Sequence, residues 1–165
     1  MNAIVVVDQN WAIGRDGDLL FSLPTDMKRF RTMTTGGTVI MGRKTLESFP
    51  GGKPLPKRRN IVITHNTDFV REGAEVAFSA EAALKLTEGE DPDKLWIIGG
   101  GSVYAMLLSQ CERVYLTRVE TQVEESDTYF PNLDKLPGWE IETVSEPIVE
   151  NGFTYHFVDY INKKI

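Results

Sequence analysis

Cysteine and histidine are nearly absent: Cys111 is the only thiol, and His65 and His156 are the only imidazoles. A lone cysteine excludes a disulfide framework within the chain, and so few soft ligands exclude a cysteine-rich zinc site, so no metal is expected. Positive charge is also scarce. With 18 Lys and Arg against 24 Asp and Glu, the formal net charge is −6, which argues against nucleic acid as a partner and requires any anion site to be local. No apolar run approaches the roughly 20 residues that span a bilayer. The stretch Ala3 to Val7 stops at Asp8 and has no basic segment before it, so it reads as a buried strand rather than a leader. These absences point to a cytoplasmic protein with small-molecule partners and no membrane association.

What is present suits one ordinary domain. The 165 residues are 41% hydrophobic, and a chain of this size buries roughly 70% of its unfolded surface. Runs of β-branched and aromatic residues bounded by turn formers predict strands near 3 to 8, 38 to 41, 60 to 64, 74 to 78, 95 to 98, 113 to 120, 139 to 144 and 154 to 161. Helical patterns fill 24 to 34, 43 to 48, 79 to 87 and 101 to 109. Strings such as IVVV, TVIM, NIVI and LWII are apolar almost throughout, as parallel strands covered on both faces are. The last strands follow one another without helices between them. The expected fold is therefore a single α/β domain over 1–165, with a mostly parallel central sheet, an antiparallel C-terminal hairpin and helices on both faces. The connection Gln9 to Ser22 is long and sets Gly14 and Gly17 beside Trp11, Ile13, Leu19, Leu20 and Phe21; it reads either as a mobile lid or as an ordered surface loop. The acids of Glu88 to Asp93, and Glu124, Glu125 and Asp127, read as solvated loops.

One carboxylate is out of place. At about 100° per residue, Asp26 shares a helix face with Leu23, Phe30 and Met33, while Lys28, Arg31 and Thr32 take the other side. Acids are common in first turns behind a proline such as Pro24, where they complement the helix dipole. An ionised acid on an apolar stripe otherwise needs a partner, and a ligand is one candidate.

Two strand-to-helix junctions suit anions. Gly42-Arg43-Lys44-Thr45 joins free helix-start amides to cationic side chains and a hydroxyl. It is not a P-loop, because the residues between Gly37 and Gly42 form a strand and Arg43 stands where lysine is required. The second junction, Gly99-Gly100-Gly101-Ser102-Val103-Tyr104, spends three glycines in a row, which suits special torsions or a close approach to a ligand, or simply a tight turn. Two such junctions on one parallel sheet suggest a dinucleotide. Thr64 and His65 end their strand without an acid and offer donors to a 2′-phosphate, which favours NADP over NAD. The segment Lys53-Pro54-Leu55-Pro56-Lys57-Arg58-Arg59 stiffens a basic cluster; it is either a carboxylate clamp or an ordinary basic turn.

Together these motifs resemble dihydrofolate reductase of the bacterial type. The residues that carry the likeness are Ala12-Ile13-Gly14, Leu23-Pro24 with Asp26 and Phe30, Val39 to Thr45, Pro54-Leu55-Pro56 with Arg58, Ile98 to Gly101 with Tyr104, and Asp127 to Pro131. The resemblance implies NADPH-dependent reduction of 7,8-dihydrofolate to tetrahydrofolate, in a monomer that also takes antifolate-type small molecules. Asp26 matches the pterin-binding acid, with Thr117 assisting and Leu19 and Phe21 beside it at the reaction centre. Ile4, Val5, Met27, Phe30, Phe49, Leu55, Ile98 and Tyr104 match the substrate walls, and Arg58 matches the residue that holds the glutamate tail. Val6, Ile13, Gly14, Gly42, Arg43, Lys44, Thr45, Thr64, His65, Ile98, Gly100, Gly101, Ser102, Val103 and Tyr104 match the cofactor side, with a cis bond implied between Gly99 and Gly100. Phe21 replaces the family's usual tryptophan, Leu20 a common proline and Ser102 a basic residue, and the loop Pro50 to Lys53 is longer than in compact relatives. A reductase of riboflavin synthesis with a similar fold, and a nucleotide-binding module without catalysis, are the competing readings.

Overall fold

The computed structural model describes residues 1–15, 18–19 and 21–165, with the side chains of 15, 18 and 19 left aside. Its strands are β1 (Asn2–Val7), β2 (Ala12–Arg15), β3 (Asp18–Leu19), β4 (Thr38–Gly42), β5 (Arg59–Ile63), β6 (Ala74–Ala77), β7 (Leu95–Ile97), β8 (Arg113–Val119), β9 (Thr128–Tyr129), β10 (Trp139–Val144), β11 (Ile148–Glu150) and β12 (Phe153–Asn162). The helices are α1 (Pro24–Thr34), α2 (Arg43–Ser48), α3 (Ala80–Leu86) and α4 (Gly101–Leu107).

The main sheet runs β10-β12-β8-β1-β7-β4-β5-β6, with β11 on β12. From β8 to β6 every pairing is parallel, whereas β12 is antiparallel to β8, β10 and β11. The switch follows from the connections, since parallel neighbours need a crossover and the strands after β8 have no helix to provide one. Strand β1 shows why the apolar strings are continuous. Ala3, Val5 and Val7 face a core that includes Ile97, Leu107 and Leu116, while Ile4 packs toward Val39, Met41 and Trp96 on the other face and Val6 toward Leu23, Val119 and Tyr155.

The connection after β1 is built differently from a free loop. Strands β2 and β3 form a separate three-stranded antiparallel sheet with β9. The fully buried Asp8 carboxylate accepts from the amides of Asn10 (2.8 Å), Ala12 (2.9 Å) and Val123 (2.8 Å). Backbone bonds from Gln9 to Thr121, Asp127 to Gly14 and Phe130 to Trp11 complete the seam. The segment around Val123 to Phe130 thus anchors the connection through its backbone, while the acids Glu124, Glu125 and Asp127 on it are exposed. The lid expectation at Gly17 and Leu20 lies outside the described residues, as does the Leu19 side chain. Among the described residues no helix is long and apolar enough to cross a membrane, and no three His, Cys, Asp or Glu side chains gather as a metal site.

Candidate active site

The start of α1 sets the site. Leu23 occupies the N-cap position without a side-chain cap bond, Pro24 follows, and Asp26 lies in the first turn, where the dipole favours an acid. Leu23 is buried, Asp26, Phe30 and Met33 are half-buried, and Lys28, Arg31 and Thr32 face solvent. Thr117 on β8, itself buried, donates its hydroxyl to Asp26 Oδ1 at 2.5 Å. The Arg29 guanidinium is directed elsewhere, to Asp159 at 3.1 Å and over the Phe157 ring at 4.0 Å. Among the described residues no cation forms an ion pair with Asp26. Burial pushes the Asp26 carboxyl above its ordinary range; the Thr117 bond and the Arg29 charge pull it back in part, and Glu150 adds to the rise.

Apolar walls stand next to this acid. Ile4, Met33, Phe49, Leu55 and Ile98 are partly exposed members of a cluster resting on the buried Val39, Met41, Leu46, Val62 and Trp96. A partly open apolar layer over a closed one is how the wall of a binding groove is made. Four expected wall residues, Val5, Met27, Phe30 and Tyr104, lie outside this cluster. Val5 points to the opposite face of β1, as strand alternation requires, so only its backbone can face the groove. Met27 is 60% exposed. Phe21 packs edge-on against Phe153, with ring centroids 5.2 Å apart, in the cluster that also holds Val6 and Tyr155.

The Arg58 guanidinium carbon lies 6.0 Å from the Phe30 ring centroid. Its Nε donates to the Pro56 carbonyl at 2.9 Å and its Nη1 to Thr34 Oγ1 at 3.0 Å, which fixes the guanidinium and leaves one edge for an anion. Asn60 holds this loop. Its side chain accepts from Leu55 N–H and donates to the carbonyls of Leu55 and Arg58, each at 2.9 Å. Sequence reasoning overlooked Asn60, although an amide opening an otherwise apolar strand was the available signal.

The two glycine junctions meet. Gly42 N–H donates to the Gly99 carbonyl at 2.8 Å, and the Gly99–Gly100 bond is cis. Gly42 and Gly100 are the N-cap residues of α2 and α4, and neither helix has a side-chain cap. A Cβ at Gly42 would lie 3.4 Å from Val103 Cγ2, and one at Gly100 would lie 3.6 Å from Thr45 Oγ1. Lys44 and Ser102 are exposed, and Arg43 lies 3.5 Å from Glu47. Val103 and Tyr104 are core residues, and the Tyr104 hydroxyl donates to the Ile4 carbonyl at 2.6 Å. Ile13 is buried and Gly14 half-buried. At the end of β5, Thr64 is buried, with its hydroxyl accepting from Asn66 N–H at 3.1 Å, while His65 is exposed. Cys111 is remote and inert, its thiol pushed up to about 12 by burial.

This architecture has counterparts among known proteins. The family model described as dihydrofolate reductase matches residues 1–162. Dihydrofolate reductase type 3 of Salmonella typhimurium is 39% identical over 159 residues, covering 96% of this chain and 95% of that protein. Dihydrofolate reductase of Mycobacterium tuberculosis is 40% identical over 151 residues, covering 90% and 89%. The solved structure of dihydrofolate reductase from Enterococcus faecalis, complexed with NADP(H) and RAB-propyl, superposes with a TM-score of 0.86 at 32% identity, covering 98% of this chain and 95% of that one. Since the likeness extends over nearly the whole chain in both sequence and fold, the protein belongs to the dihydrofolate reductase family.

Proposed function

We propose that the protein reduces 7,8-dihydrofolate to 5,6,7,8-tetrahydrofolate with NADPH, and that Asp26 is the group that holds the pterin. The observation carrying the assignment of Asp26 is its half-buried carboxylate, bonded to Thr117 and without an ion-pair partner among the described residues. Its two oxygens suit the paired N–H donors of an aminopyrimidine edge, which bind a carboxylate in a planar, two-pronged way. Diaminopyrimidine antifolates present the same edge. Thr117 orients the carboxylate, and Ile4, Phe30, Phe49 and Leu55 give the heterocycle an apolar slot. The free edge of Arg58 takes the carboxylate of the substrate tail.

The cofactor side fits its ligand by the same physical criteria. Uncapped amides at α2 and α4 lie together where glycines leave space for a pyrophosphate, with Arg43 and Lys44 beside them and Thr64 and His65 toward the adenosine phosphate. NADPH, when bound, supplies the hydride that reaches C6 of the pterin. The protein's own work is to align and to charge: Asp26 places a negative group in a poorly solvated slot, where it raises the basicity of the pterin most effectively. Protonation of N5 then draws on water, with Asp26 acting through the ring.

The test follows the loss of reduced-nicotinamide absorbance with purified protein, NADPH and dihydrofolate. Asp26→Asn is expected to lower the rate about 100-fold or more near neutral pH, the usual scale for losing an acid–base group, and to lose less at low pH, where substrate arrives protonated. Wild-type rates in Asp26→Asn at neutral pH would remove Asp26 from its role. A wild-type chain with no activity would leave only a nucleotide-binding module.

A further inference from the structure

Helix α1 is capped from the far end of the chain. Its N-cap residue Leu23 has no side-chain acceptor, and Pro24 has no amide hydrogen, so Thr25 carries the first amide that needs a partner. Glu150 on β11 provides it. Thr25 N–H donates to Glu150 Oε1 at 3.0 Å and Thr25 Oγ1 donates to Glu150 Oε2 at 2.5 Å, across 125 positions of sequence. The Tyr155 hydroxyl on β12 donates to Glu150 Oε1 at 3.1 Å, so three bonds define the carboxylate. The turn that presents it is tight: Asn151 and Gly152 both have positive φ, 52° and 80°, as a two-residue hairpin connection requires. Two neighbours in this hairpin reach the same stretch, with Asn151 Nδ2 donating to the Ser22 carbonyl at 3.4 Å and Phe153 meeting Phe21.

We propose that Glu150 is a positioning residue for the reaction: by gripping Thr25 it fixes the first turn of α1, and with it the direction of the Asp26 carboxylate, while adding a second negative charge beside the pterin slot. The charges around Asp26 are then accounted for among the described residues. Arg29 on α1 attracts the ionised form and is itself held by Asp159 of β12; Thr117 on β8 donates to it; Glu150 on β11 repels it. Tyr104 on α4 and Tyr155 on β12 stay protonated, both raised chiefly by burial. The Thr25 bonds hold the Glu150 carboxyl below its usual range.

The inference rests on Asp26 as the pterin-binding acid, and its test keeps the two apart. Carbon-13 titration of the Asp26 carboxyl in the substrate-free protein is expected to move to lower pH in Glu150→Gln, because a repelling charge is gone. The acidic inflection of kcat/KM for dihydrofolate should move with it. Glu150→Ala should raise KM for dihydrofolate about tenfold, on the scale of a lost N-cap, and leave KM for NADPH unchanged. Thr25→Val, which removes one clamp bond and keeps the charge, repeats the KM measurement if Glu150→Ala cannot be purified. An unmoved Asp26 titration in Glu150→Gln, or a lower melting temperature with unchanged KM and pH profile, would reduce Glu150 to a structural cap and overturn the proposal. A moved titration and a raised KM for dihydrofolate, with the acidic inflection of kcat/KM unmoved, would uphold the positioning role of Glu150 and overturn the pterin role of Asp26 instead.

Discussion

Because burial above all, and the Glu150 charge after it, raise the Asp26 carboxyl, the folded chain holds a proton there more tightly than the unfolded chain does. From the ordinary value of 3.8 upward through the folded one, the unfolded chain has already lost its proton while the folded chain still keeps it. Stability therefore falls as pH rises across that window and stays lower above it. Asp26→Asn has no such loss. It is expected to melt higher than the wild type at neutral pH, and the two proteins should converge below about pH 3.8, where both side chains are uncharged; calorimetric melts at the two pH values check this. An equal melting temperature at neutral pH would mean that Thr117 and Arg29 already neutralise the acid. Asp26 was legible in the sequence because a carboxylate on an apolar stripe is a local anomaly. Its clamp was not, since nothing near Glu150 in sequence mentions Thr25. Val5 illustrates the reverse: position in a motif suggested the groove, while strand alternation turns its side chain to the other face.

At the scale of elements, the loop between α2 and β5 depends on a single amide. Asn60 satisfies three backbone groups of Leu55 and Arg58, and the groove thereby gains both a wall and its cationic end. Asn60→Ala should cost about 2 kcal/mol of stability, the order expected when buried backbone groups lose their partner. It should also raise KM for dihydrofolate while sparing KM for NADPH, as denaturant melts and steady-state kinetics would report. A stable variant with unchanged kinetics would show that the prolines alone stiffen the loop. The longer strands and all four helices were legible to within a residue or two, because apolar runs between turn formers are local patterns. Strands β2, β3, β9 and β11 were not, being two to four residues long and owing their conformation to their partners. Among these, the sequence pairs Asp16-Gly17, between β2 and β3, and Asn151-Gly152, between β11 and β12, carried a hairpin signal.

The whole molecule is a sheet of unequal parts. Strands β1, β8, β4 and β5 pair on both sides and lie under apolar layers on both faces. Strand β10 hangs on β12 by one edge, with an irregular register between Ile141 and Thr143 and five of its six residues exposed. Hydrogen exchange should therefore rank the amides of β1, β8, β4 and β5 slowest, with protection approaching that of global unfolding, and those of β10 clearly faster. Protection of β10 equal to that of β1 would instead mean that the sheet opens as one unit. The parallel part and the antiparallel end were legible from where helices separate strands and where they do not. The strand order was not, because it is decided by contacts between distant segments.

Strand β12 is the last to be synthesised, yet it lies inside the sheet, between β8 and β10. A ribosome still holding that stretch withholds the link between two otherwise unjoined strands and also the turn that grips the start of α1. Nascent chains can assemble the parallel half early, but the first turn of α1 stays unbraced until β12 has left the ribosomal exit tunnel and paired with β8 and β10.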